Sequence, residues 1–594
     1  MQMQKKVRVC LWQVCLWLVV FLLSVIPAFA QVTPYHLKLL AVQETEDGYL
    51  GSGADLFLEL KEGTGRVFLE TTPVTKMDTQ ISTRFAKEIA CSHFKLDCSQ
   101  HDFIFTIKAD SNIIGGPSAG AAIAALTAIA VLDLEYREDI AITGTINSGG
   151  IVGPVGGLKE KIEAAAAGEG IKTVLIASGA AVSGNNGTIN LVTRGKELGI
   201  AVQEVTDLDE VLFLLTGVDL NHQEIEVSRD ESYQEIMGSL KDILCERTGR
   251  IRREIAEREI RLEQETREAQ EQREAQALNA SLQGDYYSSA SFCFGNNIQL
   301  KTYYYEQEGI TPSQAAYLAG IVRQKVELLE QQLAEEEIST IADLQTLIIV
   351  RERLHDVQEH LDKLLPAESA EETATFLAYA EERFFSALSW MRFFGMEGKS
   401  FVLDRQQLQQ SCAQKIAEAE ERYQYVGLFL ESFQLTPVLE KIDTAKHSRE
   451  NYEFELCLIQ AAQAKADSNA VLSSLGVNEQ TVSSYLESKQ KAVERVIAEN
   501  SAEDIFPILG YSYYQYANSL KVSDPFTALV YFEYALEMSD LGIYFPTEES
   551  FLERKGLVQF RQEWWYLAAG MTVGVGVGFL LGKLKKGRKG RRKG

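Results

Sequence analysis

Residues 115–120 read GGPSAG, and residues 156–161 read GGLKEK. Pro117 suits the first turn of a helix, where its missing N–H costs nothing, and the small residues beside Ser118 let the backbone pack closely. The first stretch therefore predicts that Ser118 lies at the N-terminus of a helix over residues 118–132. Oriented amides and the positive end of a helix dipole could stabilise an oxyanion there.

The second stretch offers a base for Ser118. A lysine ammonium cannot accept a serine proton, so the site must desolvate the amine and lower its pKa. Leu158 and Ile162 give Lys161 an apolar flank. Because Lys159 and Lys161 are two positions apart, only one of them can face inward on a helix. A serine nucleophile with a desolvated lysine predicts hydrolysis of peptide bonds.

Four ordered segments carry a family resemblance: GGPSAG at 115–120, DIAITG at 139–144, GPVGGLKEK at 153–161 and GIKTVLI at 170–176. Together they resemble the Lon protease domain over roughly residues 35–218. The resemblance implies that Ser118 is the nucleophile, that Lys161 is the base, and that Thr143 hydrogen-bonds the lysine and holds it in place. The supporting loop residues are Gly116, Pro117, Ala119 and Gly120.

Two positions depart from the family pattern, and the ATP-binding motif of the ATPase module found in most Lon proteins is missing. Gly115 and Thr145 stand where family members commonly carry an acid. These differences change the surroundings of Ser118 and Lys161 but leave those two residues themselves as in the family. No G-x-x-x-x-G-K-[ST] loop occurs in the 594 residues, so GGPSAG is a weak candidate for a phosphate cradle. The sequence predicts an ATP-independent enzyme without cofactor or metal, acting on unfolded, flexible or partly cleaved polypeptides.

The N-terminal residues have the pattern of a signal peptide. Three basic residues precede an apolar run over 10–26, and the small-x-small pattern at 28–30 comes just before Gln31. We expect residues 1–30 to be a cleaved signal peptide, with an uncleaved signal anchor as the alternative. Either version would export the chain after residue 30.

The C-terminal residues have the pattern of a membrane anchor. Residues 564–582 contain no charge and open on Trp564-Trp565-Tyr566, and residues 583–594 carry eight basic residues and no acid. This predicts a transmembrane helix with a cytoplasmic tail, and hence proteolytic and helical domains outside the cytoplasm. Glycines at every fourth position of the span predict close helix–helix contact, although glycine is also simply frequent in membrane helices.

Charge and cysteines agree with export. The net charge of −26 becomes more negative once the basic ends are set aside, so nucleic acid is not an expected partner. Six of the eight cysteines follow residue 30, and their spacing suggests three local pairs, Cys91–Cys98, Cys245–Cys293 and Cys412–Cys457. Six cysteines allow fifteen pairings, and free buried thiols are the alternative.

Apolar and polar side chains alternate in residues 56–60 and 103–107, and alanine-rich helices lie between the short strands. This pattern predicts an α/β domain with a mixed sheet over 31–220.

The pattern of residues 228–558 predicts a large all-α domain, either a helical bundle or an irregular α-solenoid. Its leading segment, with Leu244 and Ile255, suggests a short coiled coil, a projecting hairpin arm or a solvated helix. An aromatic patch between helices, over 286–305, could bind peptide or fill a core. Further helices are expected at 312–336, 339–364, 369–394, 404–433, 448–472, 480–499, 503–520 and 525–540, with the last two resembling loosely a tetratricopeptide hairpin.

These patterns support two functions from different classes. The first is a membrane-anchored Ser–Lys endopeptidase that cleaves polypeptides outside the cytoplasm. The second is a catalytically silent Lon-like membrane adaptor or scaffold. The family resemblance also implies a homo-oligomer, with a hexameric ring as the form common among Lon-type domains.

Overall fold

A computed structural model describes residues 34–539, apart from residues 46–47, 110–114, 169, 181, 185–186, 221–226, 228, 365–366, 368, 401–403, 428–429, 431, 476, 478–481 and 503. The predicted signal peptide, membrane helix and basic tail lie outside the described residues. The chain forms two compact units. The first, the α/β unit, runs to Ile146 and resumes over Pro154–Leu220, whereas the second, the helical unit, comprises Asn147–Gly153 and the chain after Leu220.

The strands are β1 Tyr35–Thr45, β2 Gly48–Glu62, β3 Val67–Thr72, β4 His101–Ala109, β5 Ile140–Thr143, β6 Thr145–Asn147, β7 Ile151–Gly153, β8 Thr173–Ala177, β9 Val182–Gly184, β10 Gly187–Ile189 and β11 Ala201–Val205. A seven-stranded sheet has the order β11-β8-β5-β1-β2-β4-β3. β1, β5, β8 and β11 run parallel, and β2 is antiparallel to β1 and β4. The predicted α/β class with a mixed sheet is confirmed.

The alternating sequences lie in the middle of this sheet. Leu58 of β2 is paired with Phe105 of β4, and both side chains are completely buried. Period-two alternation places such residues on one face of the sheet, where they form the core.

The helices of the α/β unit are α1 Met77–His93, α2 Gly120–Leu132, α3 Leu158–Ala167, α4 Leu191–Leu198 and α5 Leu208–Thr216. Helix α2 has the sequence GAAIAALTAIAVL, and all its residues from Gly120 to Ala130 are buried. A helix that is apolar on every side belongs in the middle of a domain, and its small side chains let neighbours approach closely. Helix α3 packs Leu158 and Ile162 with Leu40 of β1 in one apolar cluster.

The helices of the helical unit are α6 Glu231–Glu257, α7 Gln264–Leu282, α8 Tyr286–Glu308, α9 Pro312–Glu335, α10 Ile341–Asp362, α11 Ala370–Trp390, α12 Arg405–Val426, α13 Thr436–Glu450, α14 Phe454–Ser474, α15 Val482–Ser501, α16 Ile508–Leu520 and α17 Pro525–Ser539. Thr311 and Thr340 form capping boxes at the starts of α9 and α10, each worth about 1 kcal/mol. The predicted all-helical region is confirmed.

Three details of the helical prediction are wrong. The prediction omits helix α13, which has Pro437 in its first turn, where proline is tolerated. The aromatic patch is not a segment between helices but helix α8 itself, with Phe292 and Tyr305 buried. Leu244 lies in the large apolar core of the helical unit and Ile255 packs with Leu300 of α8, so α6 is neither a projecting arm nor a solvated helix.

All three suggested cysteine pairs are disulfides in the structure: Cys91–Cys98, Cys245–Cys293 and Cys412–Cys457. The second joins α6 to α8, and the third joins α12 to α14. Across the described part of the chain, every helix is either too short or too polar to span a bilayer.

Candidate active site

Ser118 lies two residues before helix α2, beside the end of strand β5. Its carbonyl oxygen accepts a hydrogen bond from the Gly144 N–H at 3.0 Å, and the Gly144 carbonyl accepts one from Ala121 N–H at 3.1 Å. Gly144 directly follows β5, so these two bonds fasten the start of α2 to the end of that strand. Parallel strands of an α/β sheet commonly form sites at this end. The Ser118 residue is half-buried.

The predicted start of the helix at Ser118 is wrong by two residues. A turn comes first, in which the Gly120 N–H donates to the Pro117 carbonyl at 3.0 Å, and α2 begins at Gly120 with Ala119 as its N-cap. Pro117 therefore lies in this turn and not in the first turn of the helix. Gly116 has a φ of +95°, a conformation that glycine adopts without strain.

Asp78 supports the serine loop and was missed by sequence reasoning. Its Oδ2 atom accepts a hydrogen bond from the Gly116 N–H at 2.9 Å, and its Oδ1 accepts one from Thr79 N–H at 2.6 Å. Asp78 is in the first turn of α1, where acidic residues are favoured by the helix dipole. An acid at a helix start was the available signal, but nothing in the sequence connects it to Gly116.

Lys161 is the buried lysine of helix α3. Positions three and four apart share a helix face, so Lys161 lies on the face of Leu158 and Ala165, which are buried. Its exposed fraction is 2%, and its Nζ donates to Thr143 Oγ1 at 3.0 Å. Burial disfavours the charged form and lowers the pKa of Lys161 from 10.5 to about 8. Lys159 is half-buried.

Close backbone contacts explain why a lysine can be buried in the first turns of α3. A Cβ on Gly51 of strand β2 would lie 2.0 Å from the Glu160 carbonyl oxygen, so only glycine fits beneath the helix. Gly157, which precedes α3, has a φ of +66° and would place a Cβ 2.6 Å from Val42. These two glycines let α3 lie directly against the sheet, and the amine is enclosed as a result.

Two consecutive residues at the end of β5 bring the site together. The Thr143 side chain binds Lys161, and the Gly144 backbone binds Ser118. Two segments that are distant in sequence therefore converge on one strand end. The positions that depart from the family pattern lie nearby, with Gly115 exposed and Thr145 half-buried. A side chain at 115 would meet the Lys76 side chain, since a Cβ there would lie 2.8 Å from the Lys76 Cδ.

The Ser118 hydroxyl, the buried Lys161 amine and the start of α2 are the kinds of group that acyl transfer uses, and the end of β5 connects them through Thr143 and Gly144. Comparison with known proteins identifies the class. Residues 90–216 match the family described as the Lon protease (S16) C-terminal proteolytic domain.

Lon proteases are also the relatives found by sequence similarity. The Lon protease of Paraburkholderia phytofirmans is 39% identical over 132 residues, covering 21% of this chain and 16% of that protein. Lon protease 1 of Hydrogenovibrio crunogenus is 56% identical over 61 residues, covering 10% of this chain and 7% of that protein. The archaeal Lon protease of Methanocaldococcus jannaschii is 31% identical over 124 residues, covering 21% and 17%.

The chain therefore carries a proteolytic domain of the Lon protease family. It spans less than a fifth of the length of these relatives. The matched residues contain Ser118, Thr143 and Lys161, and most of the helical unit falls outside them.

Proposed function

We propose that this protein is an ATP-independent serine endopeptidase in which Ser118 is the nucleophile and Lys161 the general base. The observation that carries the proposal is the buried Lys161 amine, 2% exposed and bonded to Thr143. Surface lysines are almost fully protonated at neutral pH and cannot accept a proton. With a pKa of about 8, an appreciable fraction of Lys161 is neutral under ordinary conditions.

Each step of the reaction has a residue in this proposal. Neutral Lys161 takes the Ser118 proton as the hydroxyl oxygen attacks the substrate carbonyl carbon. The negative charge on the carbonyl oxygen develops beside the start of α2, where the positive end of the helix dipole favours it. The Lys161 ammonium then protonates the leaving amine, and a water molecule deprotonated by the same lysine hydrolyses the Ser118 ester.

Thr143 and Asp78 position these groups. The Thr143 hydroxyl accepts one hydrogen bond from Lys161, so the nitrogen is held at the strand end that also binds the Ser118 backbone. Asp78 holds Gly116 and so the loop before the serine. A nucleophile and base held in advance reduce the entropic part of the activation barrier.

The substrates we propose are unfolded or flexible polypeptides. No G-x-x-x-x-G-K-[ST] loop occurs in the sequence, and we propose on that ground that substrate chains arrive already extended. We further propose a single-pass membrane protein with both units outside the cytoplasm. The three disulfides support this location, because disulfides persist in oxidising compartments. Assembly into a homo-oligomer remains our proposal from family resemblance.

The test is hydrolysis of unfolded casein by the intact protein in detergent, without ATP. We expect Ser118→Ala and Lys161→Arg each to lower the rate about 10³-fold or more, since arginine cannot give up its proton at these pH values. The matched control is Lys159→Arg, the same substitution two residues away on the same helix, which should retain activity.

Equal hydrolysis by wild type and Ser118→Ala would refute the serine assignment. Loss of activity in Lys159→Arg with activity kept in Lys161→Arg would mean that the wrong lysine has been assigned. A wild-type protein without hydrolysis would favour the adaptor function instead.

A further inference from the structure

A seven-residue segment of the helical unit lies, in the sequence, between the two parts of the candidate active site. Residues 147–153 belong to the helical unit, although the chain before Ile146 and after Pro154 belongs to the α/β unit. Thr143 and Gly144 come just before the segment, and Lys161 comes after it. Any constraint on 147–153 therefore acts on the chain that carries the candidate base and its partner.

Inside the helical unit, the segment completes a fully buried ion pair. Lys489 of α15 and Glu533 of α17 are both 0% exposed at their side chains, with 2.5 Å between Nζ and Oε1. Lys489 Nζ also donates to the Ser148 carbonyl and to Ser148 Oγ, each at 2.9 Å. The Ser148 hydroxyl in turn donates to Glu533 Oε2 at 2.5 Å.

This arrangement uses all the donors of the lysine. An ammonium group has three N–H donors, and Lys489 has three acceptors, two of which are supplied by Ser148. A buried charge with unmatched hydrogen bonds is strongly destabilising. The pair is therefore satisfied only while Ser148 is in place, and it holds the segment tightly for the same reason.

Neighbouring contacts hold the rest of the segment. Asn147 Nδ2 donates to the hydroxyl of Tyr485 at 3.1 Å, and Ile151 is part of the large apolar core of the helical unit. Gly149 has a φ of +76°, and a Cβ there would lie 2.8 Å from the Cβ of Ala492. No larger residue fits at that point against α15.

We propose that the Lys489–Glu533 pair is a positioning element for the protease site, which acts by holding Ser148 and thereby the strand end at Thr143 and Gly144. The inference rests on the proposed function above. It gives the helical unit a role in catalysis itself: the α/β unit requires residues 147–153 to be held in order to keep Lys161 and Ser118 aligned. Neither Lys489 nor Glu533 needs to contact substrate for this role.

The experiment compares two serine variants of the intact protein. Ser148→Ala removes one hydroxyl from the ion pair on the segment side. Its matched control, Ser473→Ala, removes another hydroxyl from the same carboxylate, since Ser473 Oγ donates to Glu533 Oε1 at 2.7 Å from within α14. Both variants leave the pair itself intact.

Two measurements are made on each variant. By hydrogen–deuterium exchange we expect amides of residues 145–153 to exchange about tenfold faster in Ser148→Ala than in wild type, and Ser473→Ala to match wild type there. For casein hydrolysis we expect kcat to fall about tenfold in Ser148→Ala with KM unchanged. The acid limb of the plot of kcat against pH should move to higher pH, because the Lys161 amine becomes hydrated. Ser473→Ala should keep the wild-type kcat and pH profile.

The double variant Lys489→Met/Glu533→Met removes the pair without leaving a buried charge, and should reproduce the faster exchange and the lower kcat. Identical exchange and identical kinetics in the two serine variants would overturn the inference. So would faster exchange of 145–153 with unchanged kcat, because the segment would then be held without consequence for the site. If Ser118→Ala hydrolyses casein as well as wild type, the proposed function fails first, and this is distinguishable because the exchange result does not depend on it.

Discussion

Replacing Lys161 with methionine should make the α/β unit more stable at neutral pH. Among the described residues no charged side chain offsets the desolvation of the amine, and burial lowers its pKa from 10.5 to about 8. This lowering of the Lys161 pKa corresponds to a free-energy cost of about 3 kcal/mol for the charged form in the folded state. Methionine has a similar length and no charge, so it removes this cost. The lost bond to Thr143 offsets about 1 kcal/mol, which leaves a net gain of about 2 kcal/mol at pH 7.

The pH dependence gives this prediction a second, sharper part. Below pH 8 the lysine is protonated in both the folded and the unfolded state, so its full cost is present. Between pH 8 and 10.5 the unfolded state binds more protons than the folded state, and the stability of the lysine form therefore rises with pH. The advantage of methionine should shrink across this window and disappear before pH 10.5.

The assay is urea unfolding followed by hydrogen exchange of peptides from helix α3. Both proteins carry Ser118→Ala, so that self-cleavage cannot contribute, and they differ only at Lys161. A methionine variant that is less stable by the same amount at pH 7 and at pH 10 would refute the reasoning. It would show that the amine is not desolvated in the folded protein.

Three further predictions concern single features of the fold. Asp78→Ala removes the acceptor of the Gly116 N–H and should lower kcat for casein about tenfold with little change in KM, as steady-state kinetics would show; an effect on KM alone would contradict a positioning role. Gly116→Ala forces a side chain into a φ of +95° and should cost at least about 1 kcal/mol by urea unfolding, whereas Gly156→Ala, in open space, should be neutral. Cys412→Ser/Cys457→Ser removes a disulfide with a sequence separation of 45 and should destabilise the helical unit by about 4 kcal/mol. Thermal unfolding without reductant measures this, and unchanged stability of the variant would contradict the prediction.

The local chemistry of the site could be predicted from the sequence. GGPSAG and GGLKEK select one serine and one lysine, and the helical phase of Leu158 and Ile162 places Lys161, three positions after Leu158, on the buried face of α3. Alternation in β2 and β4 likewise predicts strands of a mixed sheet. The burial of Lys161 and the mixed sheet are both found in the structure, because each prediction depends on spacing along a single element.

Contacts between distant segments were not predictable. Asp78 and Gly116 are separated by 38 positions, and only the fold places the carboxylate beside the loop amide. The degree of desolvation at Lys161 was not predictable either, because it depends on Gly51 letting α3 lie against β2.

The sequence by itself determined the class of domain and the change from α/β to all-α architecture, and it predicted the two residues of the candidate dyad. Local patterns of size, charge and period carry that information. Only the tertiary structure decided that residues 147–153 belong to the helical unit and that Ser148 completes the buried Lys489–Glu533 pair. The physical reason is that a buried ion pair is stable only where its hydrogen bonds are completed, and the partners that complete them come from positions more than 300 residues apart in the chain.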